Sequence, residues 1–108
     1  MTEALQILGL ARRAGAVAPG TAATRRSISQ GEARVVLMAK DASSAQLDKI
    51  RRTMRKRIIP QVLLGDRTTL GAAIGKAPIT AVAVTDASLA GRLLESIDGE
   101  IMVDEGRD

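Results

Sequence analysis

Cysteine and histidine are both absent from the 108 residues of the chain. Their absence excludes disulfide bonds, thiol nucleophiles, zinc sites built from Cys and His, and acid–base catalysis by imidazole. Phenylalanine, tyrosine and tryptophan are absent as well. Bases therefore cannot stack on aromatic rings as they do in RNA-recognition motifs and oligonucleotide-binding barrels. These absences remove whole classes of function before any motif is considered.

Long hydrophobic runs are also lacking. No apolar segment approaches the roughly 18–20 residues of a membrane span, and the N-terminus, which begins with Thr2 and Glu3, lacks the pattern of an export signal. A chain of 108 residues is long enough for one domain, since single domains commonly run about 100–200 residues. We therefore expect a soluble, cytoplasmic, single-domain protein with no membrane partner.

Motifs for nucleotide chemistry are incomplete. Residues 71–76 resemble a phosphate-binding loop, but three residues rather than four separate its glycines, and Ala77 replaces the hydroxyl residue that would bind magnesium. No Gly-x-Gly-x-x-Gly is present, and the carboxylates fall mostly where helix caps are expected. We predict a protein that is not an enzyme and that uses no cofactor, metal or small-molecule substrate.

Charge is distributed unevenly along the chain. Residues 1–97 carry 15 Lys and Arg against 7 Asp and Glu, a net charge of +8, whereas residues 98–108 carry five acids against Arg107, a net charge of −4. A basic folded body attracts polyanions, and phosphate contacts supply most non-specific affinity for nucleic acid. Many basic proteins bind no nucleic acid, however. The charge alone therefore leaves two alternatives, a protein that binds RNA or DNA and a basic protein that binds neither.

The hydrophobic pattern changes its period several times, which indicates helices that alternate with strands. The predicted helices cover residues 4–14, 21–30, 44–57, 67–74 and 87–97. The predicted strands cover residues 16–18, 35–39, 61–64 and 80–85. This alternation predicts an α/β protein, a three-layer α/β/α sandwich in one domain over residues 1–98. The acidic residues 99–108 are expected to form a flexible tail, with a short edge strand as the alternative.

Polar residues at the helix starts predict side-chain caps. Ser43, followed by Gln46, has the pattern of a capping box. The other expected caps are Thr21, Asp66 and Asp86. On the third helix, the apolar stripe that should face the core comprises Leu47, Ile50, Met54 and Ile58.

The densest charge in the chain lies on the third helix, where six cations occur within nine residues. They are Lys49, Arg51, Arg52, Arg55, Lys56 and Arg57. Since the apolar stripe must face inward, these cations must cover the outer face. Of them, Lys49, Arg52, Arg55 and Lys56 are the candidates for a second basic surface that contacts phosphate. The alternative is an ordinary solvated helix face, with cations near the helix C-terminus.

A further group of arginines lies near the end of the first helix and in the second: Arg12, Arg13, Arg25 and Arg26. The second helix begins at Gly20 and Thr21, so its free backbone N–H groups and positive dipole end could face a phosphate or a base edge. Arg26 could reach a groove with a bidentate guanidinium. The alternative is that residues 19–21 form a turn and a helix cap and nothing more.

Several short segments, taken in order, are typical of one family. They are Leu10-Ala11-Arg12-Arg13-Ala14-Gly15, Pro19-Gly20-Thr21, Asp41-Ala42-Ser43, Ile59-Pro60, Leu70-Gly71, Ile74-Gly75-Lys76 and Val84-Thr85-Asp86. Over about residues 4–97 the chain resembles the kink-turn-binding ribosomal protein superfamily of archaea and eukaryotes. The last three of these segments look most like its bacterial YlxQ branch, small proteins associated with the transcription and translation apparatus.

The resemblance implies a four-stranded mixed sheet and two places that bind RNA. The first is the helix start at Gly20 and Thr21, which in the family enters the groove beside sheared G·A pairs. The second is the loop before the last strand, which packs against a flipped-out nucleotide. In this chain the loop residues are Ile74, Gly75, Lys76, Pro78 and Ile79. Ile74, Pro78 and Ile79 are expected to supply its apolar contact.

The chain departs from the family where bases are recognised. Classical members have Asn and Glu after the Gly-Thr pair, whereas this chain has Ala22 and Ala23, which cannot hydrogen-bond to guanine edges. Arg26 stands in the place of a family lysine, and the backbone N–H groups of Gly20 and Thr21 do not depend on side chains. We expect RNA binding that is weaker or less structure-specific than in classical members.

Together these features predict a non-enzymatic protein that binds structured RNA, either kink-turn-like or ribosomal, near the ribosome or the transcription–translation apparatus. Proteins of that apparatus are further candidate partners. Arg12, Arg13 and Arg25 are expected to steer phosphate. The alternative is a protein-interaction module on the same fold with a decayed RNA site, which the loss of the Asn and Glu pair favours and the basic body opposes.

Overall fold

Helices and strands alternate from one end of the chain to the other in the computed structural model, which describes the backbone of residues 2–105 and the side chains of residues 2–97. The elements in this part of the chain are α1 (Thr2–Arg13), β1 (Val17–Pro19), α2 (Thr21–Ser29), β2 (Val35–Met38), α3 (Ser44–Thr53), β3 (Gln61–Leu63), α4 (Arg67–Ala73), β4 (Ala81–Val84) and α5 (Ala87–Glu105). A 3₁₀ turn, Met54–Lys56, follows α3. None of the described helices is long and apolar enough to cross a membrane.

The four strands form one mixed sheet in the order β1-β4-β2-β3. Strand β4 is antiparallel to both of its neighbours, with Val84 opposite Val17 of β1 and Val35 of β2. Strand β3 runs parallel to β2 at the other edge. The predicted four-stranded mixed sheet is confirmed.

Helices cover both faces of this sheet, and alternate strand residues face opposite layers. One core cluster joins β2 and β4 to α1, α4 and α5, and its strand members are Val35, Leu37, Val82 and Val84. The other joins the same strands to α2 and α3 through Val36, Met38, Ala81 and Ala83. Since every residue of β2 and β4 is buried, these runs are continuously apolar. The predicted three-layer α/β/α sandwich is confirmed.

The end of α3 differs from the prediction. Leu47, Ile50 and Met54 are buried as expected, but Ile58 is fully exposed. The α-helix ends at Thr53, and by Arg57 the backbone is extended, with φ −135° and ψ 138°. The helix therefore ends before Ile58, and the Ile58 side chain does not belong to the apolar stripe that faces the core.

The last helix is longer than predicted. Helix α5 runs to Glu105, whereas the apolar spacing predicts an end near residue 97. The backbone of residues 99–105 is thus helical, and the alternative of a short edge strand is wrong. The division into a domain over residues 1–98 and a flexible tail over residues 99–108 stays a prediction, and residues 106–108 lie outside the described part of the chain.

Three helices are capped at their N-termini by side chains. Ser43 Oγ accepts a hydrogen bond from the Gln46 amide at 3.2 Å, and Asp86 Oδ1 accepts one from the Leu89 amide at 2.9 Å. Asp66 Oδ1 accepts a shorter bond, 2.7 Å, from the Thr69 amide at the start of α4. Hydrogen bonds from Thr69 stabilise the charged carboxylate and lower the pKa of Asp66 below its ordinary value of 3.8.

We predict that Asp66→Asn flattens the dependence of stability on pH. Because the pKa of Asp66 is lower in the folded protein than in the unfolded chain, its carboxylate stabilises the fold above the unfolded pKa. That contribution is lost as the pH falls through the folded pKa. Asparagine caps helices about as well but does not titrate. Urea unfolding of both proteins from neutral to strongly acidic pH measures the difference.

The control is Asp48→Asn, which removes the same charge from an exposed position on α3 that caps no helix. If Asp48→Asn flattens the curve as much as Asp66→Asn does, the effect comes from net charge, and the assignment to the α4 cap is wrong.

Candidate nucleic-acid interface

The start of α2 carries no side-chain cap. The predicted cap, Thr21, is the first helical residue, and Gly20 occupies the N-cap position with φ 90° and ψ 165°. That backbone conformation strongly favours glycine. Because Gly20 is the N-cap, Thr21 belongs to the first turn of the helix, and its side chain makes no capping hydrogen bond. The first hydrogen bond of the helix runs from the Thr24 amide to the Gly20 carbonyl, at 2.9 Å. The amides of residues 21–23 thus point out of the helix end, at the positive end of its dipole.

The Gly20 amide itself is already used. It donates to the Ala81 carbonyl at 2.8 Å, so the predicted contact between this N–H group and RNA is wrong, whereas the Thr21 amide stays available. The same bond connects the start of α2 to the first residue of β4, which directly follows the loop at residues 74–79. Two segments about 60 residues apart in the sequence are thereby brought together.

Helix α2 is held on the sheet by small polar residues. Thr24 is completely buried, and its hydroxyl donates to the Ala18 carbonyl of β1 at 3.2 Å. Ser27 and Ile28 are buried beside it. Thr24 is not among the residues predicted from the sequence, although its spacing of three and four residues from Ser27 and Ile28 is the pattern of a buried helix face. This packing sets the direction in which the uncapped amides point.

The loop at residues 74–79 folds back on α4. The Lys76 amide donates to the Gly71 carbonyl at 2.8 Å, and the Ile79 amide donates to the Arg67 carbonyl at 3.1 Å. The loop backbone lies so close to the helix that a Cβ atom on Gly71 would be 2.2 Å from the Ala77 carbonyl oxygen. Glycine is therefore required at position 71, and the loop is held against the protein by backbone contacts.

The side chains of the loop divide between core and surface. Ile74 is completely buried among α1, α4 and the sheet, so the expectation that it contacts a nucleotide is wrong, because as the C-cap of α4 it turns inward. Ile79 is half-buried against the same core. Gly75, Lys76 and Pro78 are exposed. Ala77 is exposed as well, so the loop surface is a glycine, a cation, one methyl group and a proline ring rather than a patch of large aliphatic side chains.

The predicted arginines do not all lie beside the helix start. The Arg12 guanidinium carbon is 3.7 Å from the position that a Cβ on Gly75 would take, so Arg12 borders the loop. Arg13 and Arg26 are exposed. Arg26 lies about 7.5 Å along the helix from Thr21, and helical side chains tilt toward the helix N-terminus. Arg12 therefore puts positive charge beside the loop, and Arg26 puts it on the helix that the free amides begin.

Arg25 is held elsewhere. Its Nε donates to the Thr53 hydroxyl on α3 at 2.9 Å, which turns the guanidinium away from the helix start. Three cations predicted for a second basic surface, Arg52, Arg55 and Lys56, line an open cleft beside Thr53. Lys49 is exposed on α3 but is not among the lining residues. The structure therefore places Arg25 with the second basic surface instead of the first.

Groups for metal binding do not cluster. Within the residues that the structure describes, no three side chains of His, Cys, Asp or Glu come together in a way that could hold a metal ion. The chemistry available at the helix start and the loop consists of backbone N–H donors, guanidinium and ammonium groups, and a proline ring. These groups suit a polyanion that also presents an apolar surface.

The chain is similar in sequence to proteins of one known family. The profile of the ribosomal protein L7Ae/L30e/S12e/Gadd45 family matches residues 2–93. The chain is also 34% identical over 96 residues to the RNA-binding protein YlxQ of Bacillus subtilis, across 89% of this chain and 96% of that protein.

Solved structures share the fold. A protein with unknown function from Bacillus halodurans C superposes with a TM-score of 0.84 and 30% identity, over 91% of this chain and 99% of the other. The 15.5kD RNA binding protein of Giardia lamblia superposes with a TM-score of 0.71 over 92% of this chain and 84% of the other. Its identity to this chain is 18%, so that likeness concerns the fold alone.

We predict that Gly71→Ala destabilises the protein by about 1–3 kcal/mol, because the added methyl group forces the backbone of residues 76–77 away from α4. Gly91→Ala is the matched control, since a Cβ there meets no atom within 4 Å. That control should stabilise helix α5 by about 0.5–1 kcal/mol. Urea unfolding measures both variants, and a stable Gly71→Ala protein would contradict the close packing of the loop.

Proposed function

The chain belongs to the ribosomal protein L7Ae/L30e/S12e/Gadd45 family, and on this premise we propose that it is a non-enzymatic protein that binds structured RNA. Membership agrees with the resemblance inferred from the sequence. It is supported by a relative 34% identical over 89% of this chain, which is described as an RNA-binding protein.

The observation that carries the proposal is the hydrogen bond between the Gly20 amide and the Ala81 carbonyl. It sets the uncapped start of α2 next to the loop at residues 74–79. These are the two segments that the family resemblance predicts to contact RNA.

The helix start supports binding to the RNA backbone. The amides of residues 21–23 and the helix dipole favour a phosphate group, and Arg26 can add a bidentate contact to a phosphate or a base. Ala22 and Ala23 supply no hydrogen-bonding side chain. We therefore infer that the helix start recognises the shape of the RNA more than the identity of its bases.

The loop supports contact with a nucleotide beside the helix start. Lys76 and Arg12 provide positive charge, and the exposed ring of Pro78 provides a small apolar surface against which a base or ribose can pack. Ile79, the next residue, is half-buried against the core. Because Ile74 is in the core, this contact is smaller than the sequence suggests, and the loop adds less affinity than three exposed aliphatic side chains would.

The RNA that we propose as target is a kink-turn or a ribosomal RNA of similar bent shape, bound in the cytoplasm near the ribosome or the transcription–translation apparatus. A bent backbone suits the site because the helix start and the loop are adjacent but face the RNA with different chemistry. The proposal of a kink-turn rests on the family resemblance and on this geometry together.

We predict that the protein binds a kink-turn RNA more tightly than a straight duplex or a single strand of equal length. Arg26→Ala should weaken kink-turn binding by about 1–3 kcal/mol, since one bidentate contact is lost. Arg92→Ala, which removes an exposed arginine from α5 on the other face of the sheet, is the control. Fluorescence anisotropy titrations at several salt concentrations measure the affinities.

Two results would count against the proposal. Equal affinity for the three RNAs, with a steep dependence on salt, would indicate generic attraction of a polyanion. Partners of the protein that survive nuclease treatment of a pull-down would favour the protein-interaction module, the alternative supported by the loss of side-chain donors at Ala22 and Ala23.

A further inference from the structure

A second basic surface lies at the opposite end of α2 from the uncapped amides. It is an open cleft of about 610 Å³ between the C-terminal end of α2 and the end of α3, lined by Ser29, Arg52, Thr53, Arg55, Lys56 and Arg57. Four of the lining residues are cations and none is a carboxylate. We propose that this cleft binds phosphodiester groups of an RNA backbone and forms a second RNA contact; its ligand class rests on the proposed function.

The cations of the cleft have no acidic partners among the described side chains. The ion pairs within residues 2–97 join Arg51 to Asp48 at 4.0 Å and Arg67 to Asp41 at 3.4 Å, and neither involves a residue that lines the cleft. Placing several like charges together without acids between them costs electrostatic energy and concentrates positive potential. A bound polyanion would relieve that repulsion.

One arginine of the cleft is held in place before any ligand binds. Arg57 Nη2 donates to the Ser29 carbonyl at 3.0 Å, and its Nη1 would be 3.2 Å from a Cβ on Gly31. The left-handed glycine, with φ 76°, thus lets the guanidinium lie close to the backbone. Because an arginine has five N–H donors, most of them stay available to a phosphate group.

A second arginine is fixed at the border of the cleft. Arg25 Nε donates to the Thr53 hydroxyl at 2.9 Å, and that hydroxyl donates in turn to the Lys49 carbonyl at 3.0 Å. Holding a guanidinium in advance reduces the side-chain entropy that binding would cost. One pre-positioned arginine, Arg57, therefore lines the cleft, and another, Arg25, is hydrogen-bonded to the lining residue Thr53.

Stabilisation of helix ends explains only part of this cluster. Cations near the C-terminus of a helix interact favourably with its dipole, and Arg57 does so directly at the end of α2. In the part of the chain that the structure describes, the side chains of Arg52, Arg55 and Lys56 make no hydrogen bond to a helix carbonyl, whereas the Arg57 side chain does. Their position is better explained by a ligand of opposite charge.

The cleft continues into a second depression of about 270 Å³, which shares Lys56 and Arg57 with it and adds Arg34 and Ile58. Ile58 is fully exposed and offers an aliphatic surface at the rim. A single small anion would not use both depressions. An RNA strand presents several phosphates in a row with a ribose between each pair. Its phosphates can contact the cations of both depressions, and a ribose can pack against the aliphatic side chain at the rim.

The two surfaces are close enough for one RNA. The ends of α2, Thr21 and Ser29, are about 12 Å apart along the helix axis, and Arg25 lies between them at the border of the cleft. An RNA that docks at the helix start can therefore extend its backbone along α2 to the cleft. The second contact adds affinity and orientation but no base recognition.

Arg55→Gln, with Arg92→Gln as its control, tests the proposal. Both remove one positive charge from an exposed position, so long-range attraction changes equally. For Arg55→Gln we expect 3- to 10-fold weaker binding (about one phosphate contact) and a slope of log affinity against log salt reduced by about 0.7–0.9. The loss should be the same for a kink-turn and a straight duplex. Arg92→Gln should leave the slope unchanged.

The outcomes separate the two proposals. One outcome is that Arg26→Ala loses the preference for a kink-turn while Arg55→Gln and Arg92→Gln bind RNA identically. This outcome would overturn the proposal for the cleft and leave the proposed function standing. A reduced salt slope in Arg55→Gln, with neither kink-turn preference nor any effect of Arg26→Ala, would support the cleft and reject the helix start.

A measurement without RNA checks the cleft itself. Inorganic tripolyphosphate, titrated into the labelled full-length protein, should shift the NMR signals of the amides at residues 29–31 and 52–57. The shifts should persist in Arg26→Ala and disappear in the double variant Arg52→Gln/Arg55→Gln, whose unchanged remaining spectrum shows that it is folded. Absence of these shifts in the wild-type protein overturns the proposal.

Discussion

The hydrogen bonds of strand β4 to β1 and β2 hold the sheet together from the inside. Both faces of this strand are buried, one against α2 and α3 and the other against α1, α4 and α5. Its first residue, Ala81, also accepts the hydrogen bond from Gly20. The strand that organises the core thus also places the loop at residues 74–79 beside the start of α2.

The absence of aromatic residues shapes both the core and the surface. A core built from aliphatic side chains and alanine lets helices lie close to the sheet, as the buried Thr24 and Ser27 of α2 show. On the surface, the same absence leaves backbone amides, guanidinium groups and small apolar side chains as the groups that could bind a ligand. Such groups recognise the path of a phosphate backbone better than the identity of its bases.

Much of the fold could be predicted from the sequence because hydrophobic spacing reports burial directly. The order of the elements, the buried central strands and the caps at Ser43, Asp66 and Asp86 are local properties, and the structure confirms them. The errors lie where tertiary contacts decide. Ile58 falls outside the stripe because α3 ends early, and Ile74 turns into the core because α4 ends at a tight turn against the loop.

Residue identity and spacing alone establish the classes of chemistry open to this protein, the alternation of helices and strands that makes a sandwich, and the excess of cations. Which groups meet, by contrast, depends on how the chain folds, and the fold brings distant segments together. It used the Gly20 amide in the bond to Ala81, turned Arg25 toward Thr53 and assembled cations from the end of α3 around the end of α2. Such pairings depend on contacts between residues far apart in the sequence, because a long side chain such as that of Arg25 points toward the residue to which it hydrogen-bonds.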